Sequence, residues 1–281
     1  MLRTIICSVA YLMMGMLLHA QDIVCSEQDQ AALEAKLKEL KQVSEQSYGD
    51  TLITIGKSFL GIPYVAKTLE IGDKESLVVN LHGLDCTTFV ENVLALGCML
   101  SRDETGLESF AGTLESIRYR NGQLQGYPSR LHYFSEWIAN NDKKGLVKDI
   151  TAQLGGNPIT KDINFMSTHR ELYPFLASED NYLQIKASEL YLNNRPIYVL
   201  AKDKIEAAEA HMQSGDIVAL ATSIEGLDVT HTGFAIRLAD GRIHLLHASS
   251  SNEEVEISVL PLADYLKKIR HNTGIMVARP L

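Results

Sequence analysis

The stretch that decides the fold is HGLDCTTFVENVLALGCML, residues 82–100. Asp85 stands where a helix N-cap would, and an apolar run begins directly behind it at Cys86. Cys86, Phe89, Val90, Val93 and Gly97 recur at i, i+3, i+4, i+7 and i+11. That spacing predicts a buried helix with a thiol in its first turn. Unpaired amides and the helix dipole favour an anion there. They would lower the thiol's pKa and could hold the oxyanion of a tetrahedral intermediate. The plainer alternative is that Cys86 is a small buried hydrophobe, as Cys98 is expected to be.

The start of the chain gives the thiol its context. Met1-Leu2-Arg3 carries one positive charge, Ile5 to Leu18 is apolar, and Leu18-His19-Ala20 offers a small residue before Gln21. This is the order of a secretory signal peptide over residues 1–20. The apolar run is shorter than the roughly 18–20 residues of a membrane span, so an uncleaved anchor is the lesser reading. Cys7 leaves with the signal, and Cys25, Cys86 and Cys98 remain. An odd count leaves at least one thiol without a partner inside the chain. On one helix Cys86 and Cys98 would lie roughly 18 Å apart, too far to bridge. Cys25 could pair with either. There is no CxxC pair and no repeated Cys/His spacing of a zinc site.

The 281 residues are 46% hydrophobic and 22% charged, which is ordinary for a globular chain. The formal net charge is −9, and losing Arg3 makes it −10. A negative chain without a dense Lys/Arg stripe is a poor nucleic-acid binder. We expect no membrane partner once the signal is cleaved.

Residues 27–44 read as a helix through Leu33, Leu37, Leu40 and Val43. Gly49 is expected to break it, and Asp50 to cap a second helix ending at Gly61. Further on, Ile217–Ala221 and His231–Leu238 read as strands, and Ile243–Ala248 as a third after the Asp240-Gly241 turn. A cysteine nucleophile needs a base, usually histidine. His231, Gly233, Ala235 and Arg237 share one strand face, and the two residues nearest the imidazole are small. Small neighbours would leave room for a helix end or a substrate; the alternative is a hydrogen-bonded edge histidine. His244 and His247 are three apart, so on a strand they point to opposite faces, and no metal site is expected.

GIPYVAK, LDCTTFVENVLAL, SGDIVAL, HTGFAI and IHLLHAS, in that order, resemble the papain-like cell-wall cysteine amidases of the NlpC superfamily. The resemblance is strongest to the N-acetylmuramoyl-L-alanine amidase-like branch, and it spans roughly residues 50–280. It implies an α+β fold, with helices packed against one antiparallel sheet and the nucleophile at a helix N-terminus. It implies Cys86 as nucleophile, His231 as base and His247 as the residue that orients the base. It also implies Tyr64 lining the site and Asp85 preceding the nucleophile.

Thr87-Thr88 stands where the commonest endopeptidases of that superfamily have Ser-Gly, and 145 positions separate Cys86 from His231. The extra chain carries YPSRLHYFSEWI (127–138) and NFMSTHRELYPF (164–175). Aromatics mixed with Arg, His and Ser suit a sugar or peptide. Arg130, His132, Ser167 and His169 are therefore expected substrate contacts; the alternative is a helical insertion with buried aromatics. We expect a single domain over 21–281 with a helical insertion around 101–210. It would hydrolyse the amide between N-acetylmuramic acid and L-alanine, in peptidoglycan or its muropeptide fragments, with no cofactor. It would act outside the cytoplasm, in the periplasm or cell envelope. The competing readings are a stem-peptide endopeptidase cutting after D-glutamate, an acyltransferase and a non-catalytic wall-binding module. The triad also requires a register. A two-residue Asp240-Gly241 loop in an unbroken ladder would turn His247 away from His231, so an odd-length loop or a bulge is expected.

Overall fold

The structure, a computed structural model, describes residues 23–40 and 47–281. The expected signal peptide and positions 41–44 of the first expected helix lie outside the described residues. The chain runs β1 (Ile23–Cys25), α1 (Glu27–Leu40), α2 (Tyr48–Lys57), β2 (Leu77–Val79), α3 (Cys86–Ser101), α4 (Leu107–Arg118) and α5 (Phe134–Lys143). It continues through β3 (Val147–Asp149), β4 (Asn157–Ile159), α6 (Phe165–Thr168), α7 (Glu179–Asn193), β5 (Ile197–Ala201) and α8 (Ile205–Ala208). It closes with β6 (Ile217–Thr222), β7 (Val229–Arg237), β8 (Ile243–Ser249), β9 (Glu254–Ile257), α9 (Leu262–Lys267) and β10 (Asn272–Pro280).

The architecture is mixed α+β. The main sheet runs β4-β5-β10-β6-β7-β8-β9, with β3 also paired to β10, and every pairing in it is antiparallel. A small parallel pair, β1 with β2, stands apart from it. The segment 101–210 is not wholly helical, because it also supplies β3, β4 and β5 to the main sheet.

The sheet buries both faces. On one, Phe234, Ile236, Leu246 and Ala248 pack with Phe89, Val90 and Val93 of α3. Phe89 sits edge-on between Phe59 and Phe234, with ring centroids 6.1 and 5.9 Å away. On the other face Leu220, Ala235, Ile243 and Leu245 pack with Leu262 and Leu266 of α9.

Two local details differ from the sequence reading. Ser47, not Asp50, caps α2: its side chain accepts from the Asp50 amide. Gly49 lies inside that helix rather than ending the one before. A Cβ there would collide with the Ser214 carbonyl, so the glycine permits the helix to approach that turn. Gly97 does the same for the crossing of α2 over α3, where a Cβ would meet Leu52.

Candidate active site

Cys86 is the first residue of α3. Asp85 caps the helix through a capping box: its side chain accepts from the Thr88 amide at 2.7 Å, and Thr88 Oγ1 accepts from the Asp85 amide at 2.9 Å. The cap uses the Thr88 amide, and the Cys86 and Thr87 amides, in the first turn, have no partner within the helix. The carbonyl of Cys86 accepts from Thr232 Oγ1 at 2.9 Å, which fastens the helix start to β7. The polar groups of Thr232 and Thr87 near the sulfur favour its anionic form.

The thiol's electrostatics run opposite to the sequence expectation. Burial and then the neighbouring Asp85 carboxylate push its pKa up to about 11, and the hydrogen bonds from Thr232 and Thr87 only moderate this. Cys98 is also raised by burial. It is 5% exposed and contacts the Tyr48 hydroxyl at 3.5 Å. Cys25, Cys86 and Cys98 are all free.

His231 Nε2 lies 2.7 Å from His247 Nδ1, with the two rings nearly perpendicular. Burial lowers the His231 pKa to about 4, and burial with the neighbouring His231 lowers that of His247 to about 3. Both imidazoles are therefore neutral near pH 7. The register that brings them together has the expected parity: Phe234 pairs with Leu246 and Arg237 with Ile243, across an odd-length loop of residues 238–242. Gly233 then faces His247. A Cβ on Gly233 would lie 2.8 Å from His247 Cβ and 2.7 Å from the Leu246 carbonyl oxygen. The small residue thus makes room for His247, not for a helix end or substrate as its position suggested. Ala235 is likewise fully buried, in the core beneath α9.

The sheet's pleat adds a constraint. His231 pairs with Leu220 and shares its face, whereas α3 packs on the opposite face. The start of α3 nonetheless reaches β7 at Thr232, one residue from His231. The β7–β8 ladder stops at the Phe234–Leu246 pair. The start of α3 and His231 therefore meet β7 at adjacent positions, at the open end of that ladder.

Tyr64 is placed by its loop. Its amide donates to the Glu253 carbonyl, and the Val65 amide donates to the Leu84 carbonyl. Burial, then Cys86 and Asp85, push its phenol up to about 12, so it faces the thiol in neutral form. A cleft of about 190 Å³ opens beside the turn, lined by Asp85, Thr87, Glu91, Arg118, Arg130 and His132, among others. It would hold only part of a sugar-peptide ligand. Arg130 pairs with Glu70 at 3.4 Å and Glu75 at 3.3 Å and lies over the Tyr127 ring. His132 Nε2 meets the Tyr127 carbonyl at 2.9 Å, and burial and Arg130 hold its pKa well below the usual histidine value.

Ser167 and His169 do not line this cleft. Ser167 Oγ donates to the Asn164 carbonyl, and His169 Nδ1 bonds the Phe165 carbonyl while its ring stacks on Phe165. Their polar groups bond within the local turn. His244 bonds Ser258 O and Asp240, and β8 turns it away from His247. Among the described residues no three His, Cys, Asp or Glu side chains form a cluster that could hold a metal.

Sequence reasoning missed Thr232, although it stands beside His231 in the HTGFAI motif. It also missed Glu256, which pairs with His247 across β8 and β9. The register of that hairpin was the signal needed, and the sequence did not supply it.

No curated protein matches the chain. Solved structures do. An N-acetylmuramoyl-L-alanine amidase from Bacteroides uniformis ATCC 8492 is 38% identical, with a TM-score of 0.80 over 84% of this chain and 100% of that one. A candidate xylanase from Bacteroides fragilis is 42% identical, with a TM-score of 0.74 over 80% and 98%. A Legionella pneumophila protein at 21% identity and a TM-score of 0.70, over 91% and 95%, shares the fold. The family model described as N-acetylmuramoyl-L-alanine amidase-like matches residues 54–275, a span that runs from α2 to β10 and takes in Cys86, His231 and His247. The chain belongs to the N-acetylmuramoyl-L-alanine amidase-like family.

Proposed function

We propose that the protein is a papain-like cysteine amidase that hydrolyses the amide between N-acetylmuramic acid and L-alanine. Its substrate is peptidoglycan or soluble muropeptides, met in the periplasm or cell envelope after export. The observation that carries this reading is the His231–His247 hydrogen bond, one residue from where Thr232 fastens the Cys86 end of α3. The bond occupies His231 Nε2 and leaves Nδ1 as the ring nitrogen for the thiol proton.

The mechanism follows from neutral groups. His231 takes the thiol proton as Cys86 attacks the amide carbonyl, so charge develops only during the reaction. The amides of the α3 N-terminus meet the oxyanion. His231 returns the proton to the leaving amine, and water releases the acyl group. Among the described residues no helix is long and apolar enough to cross a membrane. A glycosidase reading fits the cleft poorly, because it needs two available carboxyl groups across the sugar. Here Asp85 caps α3, Glu91 is held by Arg118, and Glu70 contacts Arg130 and Tyr127.

The products test the bond. Mass spectrometry of a digested muramoyl-peptide should show the whole stem peptide with L-alanine at its new N-terminus, and the same peptide without its sugar should stay uncut. L-alanine-D-glutamate left on the sugar would make the endopeptidase reading correct instead.

The pH profile tests the charge state. His231 must be neutral to act as base, so kcat/KM should fall as the pH drops through about 4. A thiol raised to about 11 adds no limb near neutrality. A profile that rises with thiolate formation between pH 7 and 9 would contradict the neutral pair.

A further inference from the structure

Two neutral imidazoles 2.7 Å apart can share their protons in two ways. In the first, His231 Nε2–H donates to His247 Nδ1, and His247 carries its proton on Nε2. In the second, His247 Nδ1–H donates to His231 Nε2, and the His231 proton then sits on Nδ1. Only the first leaves His231 Nδ1 bare to act as a base, so something must select it.

His247 is 0% exposed, and its Nε2 has no hydrogen-bond partner. The charged group facing that nitrogen is Glu256, opposite His247 in the β8–β9 ladder, with Oε1 3.7 Å away. Asn252 Nδ2 donates to both carboxylate oxygens of Glu256, at 2.8 and 2.7 Å, and so aims the group. Tyr265 of α9 closes the third side, its ring 5.8 Å from that of His247 and its phenol raised by burial and by Glu256. A neutral phenol offers no competing charge. A carboxylate so placed attracts an N–H and repels a lone pair.

We propose that Glu256 is a positioning residue: it draws the His247 proton to Nε2, fixes both imidazoles in the first arrangement and so makes His231 Nδ1 the base. The proposal rests on the cysteine amidase reading for its consequence, but not for its test. Once His231 accepts the thiol proton, its Nε2–H still donates to His247, and the carboxylate behind stabilises the imidazolium through that ring.

Long-range 1H–15N spectra of the full chain labelled with 15N-histidine read each ring's tautomer without substrate. Both His231 and His247 should be Nε2–H in the wild type. Glu256→Ala should move a measurable share of His247 to Nδ1–H. It should lower kcat on a muramoyl-peptide by at least about tenfold, the scale seen when a partner that orients a ligating histidine is lost. KM and the unfolding midpoint should stay close to wild type, because Glu256 lies at the sheet's edge strand. Glu256→Gln keeps the volume but not the charge, and it should follow Ala rather than wild type. An Nδ1–H tautomer on His247 in the wild type, or wild-type tautomers in both variants, would overturn the proposal. Expected tautomers in a wild-type protein that cleaves nothing would overturn the amidase reading and leave the tautomer assignment standing.

Discussion

Cys86→Ala should reduce turnover of a muramoyl-peptide by at least about 10⁴-fold, the scale of removing a covalent nucleophile. The fold should survive. Asp85 and Thr88 cap α3 without the thiol, and the Thr232 contact uses the Cys86 carbonyl, which alanine keeps. KM should therefore change little, and the variant should still hold the intact muropeptide. Nucleophile and base act as a unit, so Cys86→Ala combined with His231→Ala should lose little more than either alone. Turnover by quantified product release and binding by calorimetry give the two readings. A Cys86→Ala protein that retains a tenth of its activity would refute covalent catalysis by this thiol.

The helix that carries the thiol was legible because its signals are local. A cap residue and an apolar period lie within residues 85–98, and each depends on neighbours a few positions away. The β7–β8 register was legible for a different reason: a one-residue slip flips every side chain, so a requirement on His231 and His247 fixed the parity of the loop. What failed depends on distant chain. The start of the helix, which favours an anionic thiol, is visible in sequence, while the burial that raises the thiol's pKa arises only once the helix is packed. Glu256 reads as one acid in a polar strand, and only the β8–β9 pairing sets it behind His247.

The largest stability effect should come from the ion pair beneath the cleft. Arg118 Nε lies 2.7 Å from Glu91 Oε2, and both side chains are almost wholly buried. Arg118 also donates to the Val78 carbonyl at 2.8 Å, and Trp137 Nε1 donates to Glu91 Oε1 at 3.3 Å. The pair thus ties α3 to α4, α5 and β2. Burial raises the Glu91 carboxyl, and Arg118 is the main force opposing it. Arg118→Met removes that opposition and leaves an unpaired buried acid, which should cost about 3–5 kcal/mol in urea unfolding. Glu91→Leu alone should cost a similar amount, by stranding the guanidinium. The double variant Glu91→Leu/Arg118→Met strands neither charge, so it should recover most of the loss. Single variants within about 1 kcal/mol of wild type would mean that the pair is open to water and not a buried bond. The double variant also separates two roles, because Glu91 and Arg118 line the cleft beside Thr87 and Asp85. If it regains stability but not turnover, the pair is there to shape the field at the thiol. If it regains both, the pair only holds the α3 N-terminus in place.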